Sequence, residues 1–292
     1  MRQEILKADL LRRMKVKSSD SLDIEIRHYR EFLSRTVDIM VDVPAYIKNK
    51  MRTCIKDMVA VYQQTGMPPK QISLSKDKNL DRDISAILLL LNNSIKNYLQ
   101  ERTYKKVLSV AQEATDSDSA PFDNSDMLES EINGKSDMQR IDEYVERFKY
   151  ESEAVILSLL ESGMSADEIL RNYDLKNPYN SELVKDAMRS NDFEATNIKS
   201  NGITYGKGIS KSSLLALTLV GQDFAFRSYN KTLNDIWSLD NSIVGWISVR
   251  NSSFPCQLCD SEAYIFHPIT EQFYSWHPRC VCLCVPITRN ML

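Results

Sequence analysis

Apolar residues recur at steps of three and four along most of the chain, the spacing that places them on one face of an α-helix. The first such stripe predicts a helix from about Leu22 that ends before Pro44, because the residue preceding a proline disfavours helical dihedral angles. Pro44 itself fits the first turn of a helix, so a second helix is predicted from there to residues 66–69. A longer stripe covers residues 81–114, and helices of these lengths favour an antiparallel bundle. The members of the first stripe are Leu22, Ile26, Tyr29, Leu33, Val37 and Met40.

The pattern changes at residues 115–137, where seven acidic residues accompany a single lysine and the apolar residues are few and aperiodic. Such composition is typical of a flexible linker, so we expect a domain boundary there. Helical spacing returns in residues 138–240, which include a long final helix over residues 210–239. Within residues 138–240, Ser165 and Glu168 have the spacing of a capping box and predict the start of a short helix before that final helix.

Strand-like composition is confined to the C-terminal end. Residues 243–249 are the strongest candidate, and shorter strands are predicted at 264–266 and 281–286. The predicted fold is therefore mainly α, with helical bundle regions followed by a small C-terminal α+β module. The predicted order is an N-terminal helical domain at 1–114, an acidic flexible linker at 115–137, a second helical region at 138–240 and a small β module at 241–292.

Cysteine and histidine crowd together in this last segment. Five of the six cysteines and two of the three histidines lie between Cys256 and Cys284. A C-x2-C pair begins the cluster, and after seventeen intervening residues an H-x2-C element at His277 and Cys280 repeats the geometry with a nitrogen donor first. Two such elements facing each other supply the four ligands of a tetrahedral zinc site.

The cluster offers more donors than one zinc ion needs. We expect Cys256, Cys259 and Cys280 as ligands, and either His277 or Cys282 as the fourth. Cys280, Cys282 and Cys284 would point to one face of an extended strand, about 6.6–7 Å apart. Only neighbouring members of that row can share one ion, so Cys284 is predicted to pack as a small apolar residue. His267 is a reserve donor, and buried unligated thiols are the alternative to a metal site.

Composition narrows the function classes. The 292 residues carry a net charge of −3, which argues against a protein that coats nucleic acid over its whole surface. The longest apolar run, residues 87–91, is far shorter than the roughly 18 residues of a membrane span, and the charged start of the chain does not have the pattern of a secretory signal. We therefore expect synthesis in the cytoplasm, where reduced thiols favour metal binding over disulfides.

A family resemblance rests on residues of the C-terminal third. The Gly206-Lys207-Gly208 run, a long helix, Gly245-Trp246, the C-x2-C pair and then W-H-P-x-C-x-C resemble the C-terminal domain of tailed-phage minor head proteins, also called phage head morphogenesis proteins. The similarity covers residues 205–287. The family's long helix usually carries Arg-Thr-Glu, whereas this chain has Val220-Gly221-Gln222-Asp223 at the matching place, so Asp223 would have to replace the glutamate.

The resemblance implies a non-enzymatic structural protein of a phage or prophage virion. It would be made in the bacterial host cytoplasm and would act inside the capsid near the portal during head morphogenesis. Its expected partners are the portal and other head proteins. DNA contact is expected through the basic residues Arg2, Arg12 and Arg13. The alternative is that the basic stretch at residues 2–16 is a solvated helix face. Neither a membrane nor a small-molecule substrate is expected. The alternative is a zinc-dependent nucleic-acid-processing enzyme or toxin, but the sequence shows no H-E-x-x-H or H-x-E pattern that would place a base beside the metal.

Overall fold

The computed structural model describes residues 19–72, 76–117, 127–176, 178, 212–251, 255–273, 275–277 and 280–291. Within these residues the chain is mainly helical, and a small C-terminal sheet lies beside a cluster of cysteine and histidine side chains. The predicted fold class is confirmed. The basic segment at residues 2–16, most of residues 178–200 and the Gly206-Lys207-Gly208 run lie outside the described residues.

Helix α1, Ser19–Gln64, runs through Pro44 without a break. The prediction that one helix ends and another starts at this proline is therefore wrong. An internal proline lacks the N–H that would bond the carbonyl four residues earlier, here that of Met40. The Gln222 side chain replaces the missing donor, because its Nε2 donates to the Met40 carbonyl oxygen at 3.3 Å. The same helix leaves Val37 47% exposed, so this member of the predicted stripe is not a core residue.

The predicted helix over residues 81–114 is interrupted. Helix α2, Lys78–Asn97, is capped by the Asp77 carboxylate, which accepts from the backbone N–H groups of Asn79 and Leu80. A π-helical turn, Tyr98–Thr103, joins α2 to α3, Tyr104–Thr115.

Two capping boxes begin the helices that follow. Strands β1, Glu131–Ile132, and β2, Lys135–Ser136, form a two-stranded hairpin. Helix α4, Asp137–Glu161, starts with the reciprocal bonds of Ser136 and Gln139, and α5, Ala166–Asn172, starts with those of Ser165 and Glu168. The predicted capping box is thus confirmed. Helix α6, Ser213–Ser238, precedes the C-terminal sheet.

The chain divides into two compact units. The first contains the described residues of Met1–Asp42, Leu99–Lys135 and Gly221–Leu292, and the second those of Val43–Tyr98 and Ser136–Val220. Each unit is built from stretches that are separated along the chain. The domain order 1–114, 115–137, 138–240 and 241–292 stays a prediction. Within the predicted linker, residues 118–126 lie outside the described residues, whereas Met127 and Leu128 are buried.

The C-terminal sheet has the order β4–β3–β5, with both pairings antiparallel. Strand β3, Ile243–Val249, has the predicted bounds, while β4 is Phe266–Pro268 and β5 is Leu283–Thr288. The sheet shares one hydrophobic core with residues of α1, α3 and α6. At the centre of that core, Trp237 Nε1 donates to the Tyr29 hydroxyl at 3.2 Å. In the part of the chain that the structure describes, no helix is long and apolar enough to cross a membrane.

Candidate metal centre

The C-x2-C pair lies at the start of a short helix. Helix α7, Gln257–Glu262, follows β3, with Cys256 at its N-cap position and Cys259 in its first turn. The Asp260 N–H donates to the Cys256 carbonyl oxygen at 2.9 Å, which closes the first turn of the helix. Because the two cysteines lie within one turn, both sulfurs can reach the same point.

The second ligand-bearing segment is a tight turn before β5. The Cys280 N–H donates to the His277 carbonyl oxygen at 3.0 Å, and the Ser275 hydroxyl donates to the same oxygen at 2.7 Å. These bonds hold His277 and Cys280 on one turn. Pro278 and Arg279, between them, lie outside the described residues.

Five side chains contribute donor atoms to the cluster. Two groups of three donors share Cys259, and within each group the ligand atoms all lie within 4.8 Å of one another. The first group is Cys256, Cys259 and His277, and the second is Cys259, Cys280 and Cys282. The three expected ligands and both candidates for the fourth therefore belong to these two groups, which could bind a metal ion.

Three of the distances between donor atoms can be compared with the edges of a tetrahedral site. With zinc–sulfur bonds of about 2.3 Å, the edge between two thiolates is about 3.8 Å, and an edge to a nitrogen donor is somewhat shorter. Cys259 Sγ lies 3.7 Å from Cys280 Sγ and 3.0 Å from His277 Nε2, and Cys256 Sγ lies 3.2 Å from the same nitrogen. These three pairs are thus close to the separations at which one ion would hold them, and all three pairs include Cys259 or His277.

Hydrogen bonds divide the thiols into two kinds. The Cys282 thiol donates a hydrogen bond to the Cys280 sulfur. This bond, together with bonds from backbone donors, lowers the pKa of Cys280 to about 5. The same bond raises the pKa of Cys282. A backbone N–H from Cys259 lowers the pKa of Cys256. Burial raises the pKa of Cys259 to about 12 in the metal-free protein. Cys256 and Cys280 therefore have the environments that favour a thiolate, the form of cysteine that binds metals.

The remaining cysteines do not join the cluster. Cys284 is fully buried on β5, where Asn234 Nδ2 donates to its sulfur at 3.6 Å, and burial raises its pKa. Cys54 is buried in α1 of the second unit, and burial raises its pKa to about 12, as expected for an unreactive structural thiol.

His267 has a separate environment. Its ring stacks on Trp246 at a centroid distance of 4.2 Å, and its Nδ1 lies 2.9 Å from a carboxylate oxygen of Glu271. Among the described residues it belongs to neither of the two donor groups. The reserve donor predicted from the sequence thus packs against the sheet.

Sequence reasoning did not single out two side chains that hold the ligand segments. Ser248, in β3, and Arg250, just after it, are both buried and bonded to the parts of the chain that carry the cysteines and the histidine. A serine and an arginine at the end of an apolar strand, directly before a C-x2-C pair, were the available signal.

No protein-family model, curated protein or solved structure matches this chain. The resemblance to minor head proteins therefore rests on the motif residues. In the long helix where those proteins carry a glutamate, Asp223 is buried, and its neighbour Gln222 bonds the Met40 carbonyl.

Proposed function

We propose that this chain is a non-enzymatic structural protein whose C-terminal sheet is held by one structural zinc ion. Cys256, Cys259, His277 and Cys280 would hold the ion, with Cys282 the alternative to His277 or Cys280. The observation that supports this most directly is the position of Cys259, whose sulfur lies within 3.7 Å of both a histidine nitrogen and a second buried sulfur.

The donor set favours a structural role over a catalytic one. Structural zinc sites are closed by four cysteine or histidine ligands, whereas a catalytic zinc keeps one position open and needs a base beside it. The nearest carboxylate along the chain, Asp260, is engaged with Arg250 at 2.7 Å. The carboxylate of Glu271 is engaged with His267.

Bound zinc would join two segments that have few regular hydrogen bonds of their own. Helix α7 has six residues, and the turn at His277 lies outside any helix or strand. Structural zinc sites of small domains contribute on the order of 10 kcal/mol or more of apparent binding free energy, enough to fix both segments against the sheet.

For the biological role, we propose a minor head protein of a tailed phage or prophage, placed inside the capsid near the portal and active in head assembly. The portal and other head proteins would be its partners, and the basic segment at residues 2–16 could bring it into contact with packaged DNA. Support comes from the W-H-P-x-C-x-C ending after C-x2-C and from a donor set that suits a closed site.

The zinc content tests the first part of the proposal. Protein purified without chelator should contain one equivalent of zinc by elemental analysis, and a strong chelator should lower its thermal midpoint. Cys259→Ser should lose the ion, whereas Cys284→Ala, a buried cysteine of the same sheet outside the donor groups, should keep it. Less than about half an equivalent in the wild type, with a melting curve that chelator does not change, would refute the zinc centre.

The location of the protein tests the second part. Mass spectrometry of purified virions and proheads, with and without the gene, should find the protein in particles and show defective heads in its absence. If the protein is missing from both kinds of particle, the head role is refuted. Nucleic-acid hydrolysis that is abolished by His277→Ala in a protein that stays folded would instead establish the enzyme alternative.

A further inference from the structure

Two buried polar side chains lie at the C-terminal end of β3, Ser248 within the strand and Arg250 directly after it. Both side chains bond to the stretch of chain that includes α7 and its N-cap residue. Ser248 is 0% exposed and Arg250 is 6% exposed. Burying a hydroxyl and a guanidinium costs free energy unless both are bonded, so the identity of their partners matters.

Arg250 holds the start of the cysteine helix. Its Nη1 donates to the Cys256 carbonyl oxygen at 3.1 Å and to the Asp260 carboxylate at 2.7 Å. One acceptor is the backbone of a donor residue, and the other lies one residue after Cys259. The two bonds fix the first turn of α7, which sets where both sulfurs point.

Ser248 joins the two ligand-bearing segments through a single hydroxyl. The hydroxyl donates to the Glu262 carbonyl oxygen at 3.0 Å, at the end of α7. It also accepts from Trp276 Nε1 at 3.2 Å, and Trp276 directly precedes His277. The Ser248 backbone adds a third link, because its carbonyl accepts from the Tyr264 N–H at 2.8 Å.

We propose that Ser248 and Arg250 are positioning residues that set the metal affinity of the cluster without touching the ion; this rests on the proposed zinc centre. They hold α7 and the His277 turn in the arrangement that the ion requires. Without them, ordering the ligands would consume part of the binding free energy. Loss of an outer-shell partner that orients a ligand typically lowers metal affinity about 10- to 100-fold.

The experiment measures the zinc Kd of the full-length protein by competition with a chromophoric chelator. The test variants are Ser248→Ala and Arg250→Met, with Asp260→Asn as a milder change to the same ion pair. Matched controls are Ser261→Ala, an exposed serine of α7 that bonds only within its own helix, and Arg289→Met, an exposed arginine after β5. Each protein is also titrated with Co(II), and its unfolding in excess chelator is followed by circular dichroism.

We expect the Kd of Ser248→Ala and Arg250→Met to rise about 10- to 100-fold and that of Asp260→Asn to rise less, while the controls stay within about twofold. The thiolate-to-Co(II) absorption per bound ion should not change, because every ligand remains. An unchanged Kd in both test variants overturns the inference. It is also overturned if the metal-depleted variants lose enough unfolding free energy in chelator to account for the whole rise in Kd. If the wild type binds no zinc, the proposed zinc centre fails and this inference with it, whereas tight wild-type binding with equally tight variants refutes only the positioning role.

Discussion

The bond between Gln222 and the Met40 carbonyl makes a quantitative prediction. Pro44 removes the helix bond that this carbonyl would accept, and the Gln222 amide replaces it at 3.3 Å. Gln222→Met keeps the length of the side chain but removes the donor. The bond is only partly buried, so the net loss should be about 1 kcal/mol of unfolding free energy. Pro44→Ala restores the backbone N–H and should stabilise the helix, by less than the roughly 3 kcal/mol of an internal proline, because Gln222 already compensates and the unfolded chain regains freedom.

The double variant decides whether this reasoning is right. In a Pro44→Ala background the backbone N–H of residue 44 donates to the Met40 carbonyl oxygen. Gln222→Met should then cost close to zero, and the coupling free energy between the two changes should be about 1 kcal/mol. Urea denaturation of the four proteins, followed by circular dichroism, gives the cycle. Amide exchange of peptides that cover residues 40–48 reports whether the change is local. Equal costs of Gln222→Met in both backgrounds would refute the compensation.

Four further outcomes are expected. Gly245→Ala should destabilise the sheet by about 1–3 kcal/mol and lower zinc content, because the new Cβ would clash with the His267 carbonyl oxygen; near-UV circular dichroism and elemental analysis check this. Leu88→Ala, in a side chain that is 4% exposed, should cost about 2–5 kcal/mol in urea, whereas Leu89→Ala, at 59% exposure, should cost under about 0.5 kcal/mol. Ser136→Ala should cost about 1 kcal/mol by loss of the α4 cap, measured in the same way. A fragment of residues 241–292 should bind zinc yet lack the near-UV spectrum of the whole protein, since its core is shared with helices outside it.

Local signals in the sequence predicted much of the observed structure. Three predicted features depend on residues that lie close together along the chain. They are the bounds of β3, the capping box at Ser165, and the two short motifs that supply the donor side chains. A strand, a cap and a C-x2-C turn are each specified within a few residues. Such features can be recognised without knowledge of the tertiary fold.

The features that sequence reasoning missed depend on distant contacts. The prediction that Pro44 ends a helix was wrong. The side chain that bonds the freed Met40 carbonyl belongs to Gln222, which lies 182 residues away along the chain. Val37 belongs to the helical stripe by spacing, yet the face that α1 buries has turned away from it at that point.

The polar residues of α6 bond the segment that leads to the cluster of cysteine and histidine side chains. The segment between β4 and His277 has no regular structure in its described residues, so its backbone needs partners from elsewhere. Asn234 supplies one, because its Oδ1 accepts from the Phe273 N–H at 3.4 Å while its Nδ2 donates to Cys284 Sγ. Asp235 adds a side-chain bond to the same segment by accepting from Gln272 Nε2 at 3.4 Å. A helix with a solvent-facing side would not need buried asparagine and aspartate. Here they bond the segment that leads to His277, and the proposed zinc ion would hold the same segment at its other end.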